Sequence, residues 1–109
     1  MDNKGLNNMI FHNKITSPTE GITFNPDCDA SSVTIEFETE GTFTANFEAK
    51  GTTGKFYPIM AINLGTMDMS TSASDKNNLY QLGTIGLIAV RVNIVAISGE
   101  LTVYGNIRG

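Results

Sequence analysis

Apolar and polar residues alternate with period two along much of this chain. No stretch of 11 or more residues carries the i, i+3, i+4, i+7 apolar stripe of a helix. The clearest alternating run is Val33-Thr34-Ile35-Glu36-Phe37-Glu38, and the next is Thr42-Phe43-Thr44-Ala45-Asn46-Phe47-Glu48-Ala49. Each places apolar side chains on one strand face and polar ones on the other. Thr39-Glu40-Gly41 between them has the length and terminal glycine of a type I turn with a G1 bulge. The two runs are therefore predicted to form a hairpin with Phe37 opposite Phe43, Ile35 opposite Ala45 and Val33 opposite Phe47.

A second hairpin is predicted from Leu87–Ile97 and Glu100–Ile107 around the two-residue turn Ser98-Gly99. One face then carries Val90, Val92, Ile94, Ala96, Leu101, Val103 and Ile107. The other carries Arg91, Asn93, Val95, Ile97, Glu100, Thr102, Tyr104 and Asn106, a mixed surface with more apolar groups than a solvated face needs. Further strands are expected at Met9–Ile15, Ile22–Asn25, Lys55–Leu64 and Leu79–Gly83. Pro58 cannot donate to a ladder, so its run is an edge strand or carries a bulge. Ser70–Asn78 reads as a polar loop. About eight short strands with regular turns predict an all-β fold, a single antiparallel β-sandwich over residues 9–109, preceded by a flexible arm at 1–8.

Composition agrees. The 109 residues suffice for one core, 40% of them are hydrophobic, and only 17% are charged against a typical 25% or so. The net charge of −4 argues against nucleic acid, which demands Lys and Arg to displace counterions from phosphates. It also gives no support to a membrane contact, which is left open. The polar start, Met1 to Asn8, lacks the apolar region of a signal peptide, and no run approaches the length of a membrane helix. The expected location is the host cytoplasm, and the lone Cys28 suits a reducing compartment.

Candidate chemistry is sparse. His12 is the sole histidine, and no nucleophile motif surrounds Cys28 or any serine. The two residues read as a strand histidine and a buried structural thiol. Asp27, Asp29 and Asp68 sit in predicted loops but supply few oxygens for calcium, and Asn25-Pro26-Asp27 is a natural turn. Glu36, Glu38, Glu40 and Glu48 form an acidic outer face on the first hairpin, without the apolar cleft that glycoside chemistry requires. Met60, Met67 and Met69 are expected to fill core space, with a soft apolar loop at an interface or membrane as the alternative. No metal, cofactor or catalytic residue is predicted, and the chain is read as a non-enzyme.

Several segments together resemble a known family: Phe47-Glu48-Ala49, Phe56-Tyr57-Pro58-Ile59, Leu79-Tyr80-Gln81-Leu82, Gly86-Leu87-Ile88-Ala89-Val90-Arg91-Val92 and Ser98-Gly99-Glu100-Leu101-Thr102-Val103. They are similar to the prophage lysis-cassette β-sandwich proteins typified by YomS and the C-terminal half of XepA, over roughly residues 32–109. The resemblance implies a C2-like antiparallel sandwich, assembly as a pentameric disc around a central tunnel, and a place in a phage lysis region. It supplies no catalytic residues, and membrane perturbation belongs to a larger two-domain relative. The partner expected on this reading is the chain itself, through Glu36 and Glu38 on one side and Arg91, Asn93, Val95, Ile97 and Tyr104 on the other. A binding module of a phage virion or tail, recognising carbohydrate or a protein surface, is the alternative.

Overall fold

Odd-numbered residues from Val33 to Ala49 turn inward without a break, so the chain behaves as one long strand bent toward that face. The computed structural model, which describes residues 7–26, 31–84 and 86–108, divides this strand into β2 (Ser32–Thr39) and β3 (Thr42–Lys50). Val33, Ile35, Phe37, Phe43, Ala45, Phe47 and Ala49 are all buried. The strand's partner along its whole length is β9 (Ala89–Ser98) followed by β10 (Leu101–Arg108). Pairing runs from Ser32↔Arg108 to Thr39↔Leu101, then resumes at Thr42↔Ser98 with the same offset.

The ribbon thus folds over on itself at Glu40-Gly41 and Gly99-Glu100. One half enters a six-stranded sheet and the other a four-stranded sheet. Both predicted hairpins are corrected by this result: β2 does not pair with β3, nor β9 with β10. Phe37 and Phe43 do share the core, but they stack across the sandwich at 4.4 Å between centroids. A hairpin would have set them side by side within one sheet. Gly41 makes the corner tight, since a Cβ there would lie 1.8 Å from the Ser98 carbonyl oxygen. Thr39 Oγ1 closes it by donating to the Glu100 carbonyl (2.6 Å) and accepting from the Gly41 amide (3.0 Å).

A β-bulge, and not a turn, changes the face parity of the partner strand. Register shifts between Thr44↔Ala96 and Ala45↔Ile94, leaving Val95 as the extra residue. Val90, Val92 and Ile94 point inward before it, and Ile97, opposite the buried Phe43, points inward after it. Ala96, expected in the core, is exposed.

The six-stranded sheet has the order β1-β10-β2-β8-β5-β6, with β1 (Asn7–Ile15), β5 (Ala61–Asn63), β6 (Met69–Ser70) and β8 (Tyr80–Gly83) completing it. In the other sheet β3 lies between β9 on one side and β4 (Phe56–Pro58) and β7 (Ser72–Ala73) on the other. The ten strands among the described residues exceed the expected eight because the Lys55–Leu64 run splits between sheets and two short strands arise near the expected polar loop. Residues 22–25 form only the single bridge Phe24↔Val90. Pro58 does sit on an edge strand, opposite Glu48. Strand β1 begins at Asn7, while the rest of the expected arm, residues 1–6, lies outside the described residues.

Phe37, Phe43, Phe47 and Tyr80 form the centre of the core. Phe37 meets Tyr80 edge-on at 5.8 Å, and Phe47 lies 5.5 Å from Tyr80. These offset and edge contacts suit the ring quadrupoles. The core draws on both sheets, which is what makes the two layers one sandwich.

Candidate interaction surface

Directly opposed residues point to the same face, so the registers define the surface of the six-stranded sheet row by row. One row runs Ile10–Tyr104–Glu36. The next runs Asn8–Asn106–Thr34–Gln81–Ile62–Met69 across all six strands. Thr102 and Glu38 stand opposite each other beyond Tyr104. Leu79 and Leu64, joined by the Leu64 N–H to the Leu79 carbonyl at 2.8 Å, continue the outward face past the end of β8.

Ile10, Leu64, Met69, Leu79 and Tyr104 are all exposed there. Ile10, Glu36, Leu79, Tyr104 and Asn106 line a groove of about 540 Å³. Tyr104 donates its hydroxyl to Glu38 Oε1 at 2.8 Å, which fixes the ring's tip. That hydrogen bond holds the phenol proton and pushes its pKa above the usual 10.0. In the same groove Asn106 Oδ1 is shielded from solvent with no hydrogen-bond donor among the described residues. A buried acceptor without a partner costs about 1–3 kcal/mol.

The opposite outer face, on the four-stranded sheet, is satisfied internally. Arg91 Nε donates to Glu48 Oε1 at 2.7 Å, its Nη1 lies 3.4 Å from Glu20 Oε1, and its guanidinium stacks 3.8 Å above the Phe56 ring. Asn93 Nδ2 reaches Glu48 Oε2 at 3.4 Å. Arg91 and Glu48 side chains are only 15% and 18% exposed.

The seven residues expected to form the assembly surface therefore part company. Glu36, Glu38 and Tyr104 lie together on the six-stranded sheet, and Arg91 and Asn93 lie together on the other. Val95 projects at the bulge, and Ile97 packs against the core. Arg91 and Tyr104 do not share a face, because β9 and β10 belong to different sheets. The acidic face divides for the same reason, with Glu36 and Glu38 on one sheet and Glu48 on the other. Ile10, Leu79 and Asn106 were not among the residues expected at the assembly surface, although Asn106 was placed on the same strand face as Tyr104. Their alternation placed them on strands, but only strand pairing brings them together.

The remaining candidates are dispersed. His12 is 3% exposed and its Nε2 donates to the Val92 carbonyl at 2.5 Å, a structural contact. Asp27, Cys28 and Asp29 lie outside the described residues, and Asp68 is exposed in a turn. Among the described residues no three His, Cys, Asp or Glu side chains converge on a point that could hold a metal. Met60, Met67 and Met69, expected in the core, are all exposed instead. The Asn63–Asp68 turn holds Met67 at φ 64° and turns it to solvent. Among the described residues no helix is long and apolar enough to cross a membrane.

A family model described as XepA matches residues 5–107 of the chain. The fold is similar to the crystal structure of the SPBc2 prophage-derived protein YomS, with TM-score 0.88 and 22% identity over 94% of this chain and 92% of that one. It is also similar to the crystal structure of the PBSX exported protein XepA, with TM-score 0.91 and 19% identity over all of this chain. The match spans only 39% of that XepA chain. No curated protein sequence matches.

Proposed function

The chain belongs to the XepA family, and from that premise we propose that it is a non-enzymatic, prophage-derived structural protein that assembles with copies of itself into a pentameric ring, as an accessory to host lysis. The observation that carries this reading is the groove on the six-stranded sheet. Its exposed Ile10, Leu79 and Tyr104 form an apolar band where a monomer's solvent face would be polar. The unpartnered Asn106 Oδ1 within it is an acceptor that a neighbour's donor would satisfy. Arg91, already held by Glu48 and Phe56, offers the neighbour little. A ring uses heterologous contacts, so the groove must meet a different surface of the next copy. Ile22 and Val95, exposed along the β9 side of the sandwich, supply apolar groups for it.

Light scattering coupled to size-exclusion chromatography tests the reading. The expected mass is about five times the 11.7 kDa of one chain. Leu79→Lys, which puts a charge in the groove wall, is expected to return it to one. A monomer at all concentrations, or a Leu79→Lys protein that still assembles fully, would overturn the groove as interface. The groove's amides and Tyr104 also favour a second reading, a virion or tail module that binds carbohydrate or a protein surface. A monomer that is retained on a glycan array and loses retention on Tyr104→Ala would support that reading instead.

A further inference from the structure

The outer edge of β9 needs partners, because backbone N–H and C=O groups facing away from β3 are left over by the sheet. Ile94 exchanges two hydrogen bonds with Thr19, at 2.9 and 3.0 Å, and Val90 exchanges two with Phe24, both at 2.8 Å. Residues 19–24 thus form a strap across the edge. Midway, the Val92 carbonyl takes its donor from His12, a side chain of the other sheet. His12 therefore ties the two sheets together on their open side and sits under the strap. Gly21 of the strap lies against the imidazole: a Cβ there would be 2.3 Å from Cε1 and 2.9 Å from Nδ1, and its φ is +73°.

This packing suits only the neutral ring. With Nε2–H given to Val92, Nδ1 is the unprotonated nitrogen of the neutral ring. Protonation there would add a second donor and place a positive charge on a ring that is only 3% exposed and closed over by Gly21. Charged groups on the packed elements do not relieve it. Lys14 of β1 is exposed, Arg91 of β9 is held by Glu48, and Glu20 of the strap pairs with Arg91. On β10, the register neighbour of His12 is the apolar Val103. Burial accordingly lowers the His12 pKa below its usual 6.5, and the Val92 hydrogen bond opposes this only in part.

We propose that His12 is an acid-operated latch: its protonation releases the strap at residues 19–24 and exposes the β9 edge while the rest of the sandwich stays paired. The sign follows from the direction of the shift. Above 6.5 the latch is neutral in both states and the closed form has its full stability. Between 6.5 and the lower native value the opened form binds the extra proton, so closure weakens by about tenfold per pH unit.

Amide hydrogen exchange by NMR tests this on the whole chain, with Val90 and Ile94 as reporters because their N–H groups bond the strap. Their protection factors are expected to fall about tenfold per pH unit from 6.5 down to the lower pH at which the His12 Cε1 proton itself titrates. Amides of the β2–β10 ladder should keep theirs. In His12→Gln, which has an amide donor but no titration, protection should not depend on pH. Should that variant fail to fold, the parent protein still decides. Titration of His12 without loss at Val90 and Ile94, or equal loss at every core amide, would overturn the latch.

Discussion

Replacing Gly41 by alanine tests the folded ribbon directly. The new Cβ would lie 1.8 Å from the Ser98 carbonyl oxygen and 2.9 Å from its carbon. Ordinary contact requires roughly 1.5 Å of separation more, and the obstacle is backbone paired in register to Thr42. Relief must therefore spread the corner and weaken the Thr39 Oγ1 bonds to Gly41 and Glu100. Overpacking costs about 1–3 kcal/mol and each lost hydrogen bond about 1, so a loss of about 3 kcal/mol or more is expected. For a domain of this size that lowers Tm by on the order of 12 °C. Gly99→Ala is the informative comparison. Its φ is +90°, but the nearest atom to its Cβ is 3.6 Å away, so only the left-handed backbone cost of about 1–2 kcal/mol applies. Gly51→Ala meets open space and should change stability by less than about 1 kcal/mol in either direction. Because the chain has no tryptophan, far-UV circular dichroism through thermal and urea unfolding is the suitable assay. A β2–β3 hairpin would place Gly41 in a left-handed G1 bulge and tolerate asparagine there; the folded corner does not. A Gly41→Ala protein as stable as Gly99→Ala, or a stable Gly41→Asn, would refute the corner.

Three further outcomes follow from the packing. Phe47→Ala removes a fully buried ring from the centre of the aromatic cluster and should cost about 3–5 kcal/mol in urea unfolding at unchanged m. Arg91→Ala strands the half-buried Glu48 carboxylate and uncovers Phe56; about 2 kcal/mol is expected, and Arg91→Lys should recover only part because it cannot stack as a plane. Asn106→Val removes the unpartnered buried acceptor, so the isolated chain should gain up to about 1 kcal/mol in its melt. On the assembly reading, light scattering of the same variant should show weaker association.

How much of this was legible beforehand differs from element to element. For β2 and β3 the inward and outward residues were readable, because alternation is a property of the strand itself: Val33, Ile35, Phe37, Phe43, Ala45 and Phe47 are buried as expected. The same alternation is satisfied by a hairpin and by a strand bent across two sheets, so it could not choose between them. The Val95 bulge had no local signature either. It moves Ile97 inward and Ala96 outward, and an even-length turn at Ser98-Gly99 explained the same parity equally well from sequence. The short β6 (Met69–Ser70) and β7 (Ser72–Ala73) have two residues each, too few for alternation to show, so their pairing depends entirely on neighbours.

The chain alone determined an all-β class, the make-up of most of the core and the resemblance to prophage sandwich proteins, because these depend on residue type and periodicity. Tertiary structure decided which strands are neighbours. That choice put Tyr104 with Ile10 and Leu79, sent Arg91 to Glu48 on the far side, and carried His12 from one sheet to the edge of the other. Hydrogen bonds between strands join residues distant along the chain through backbone groups common to every amino acid, so the identity of a partner strand is settled only when the two layers close over one core.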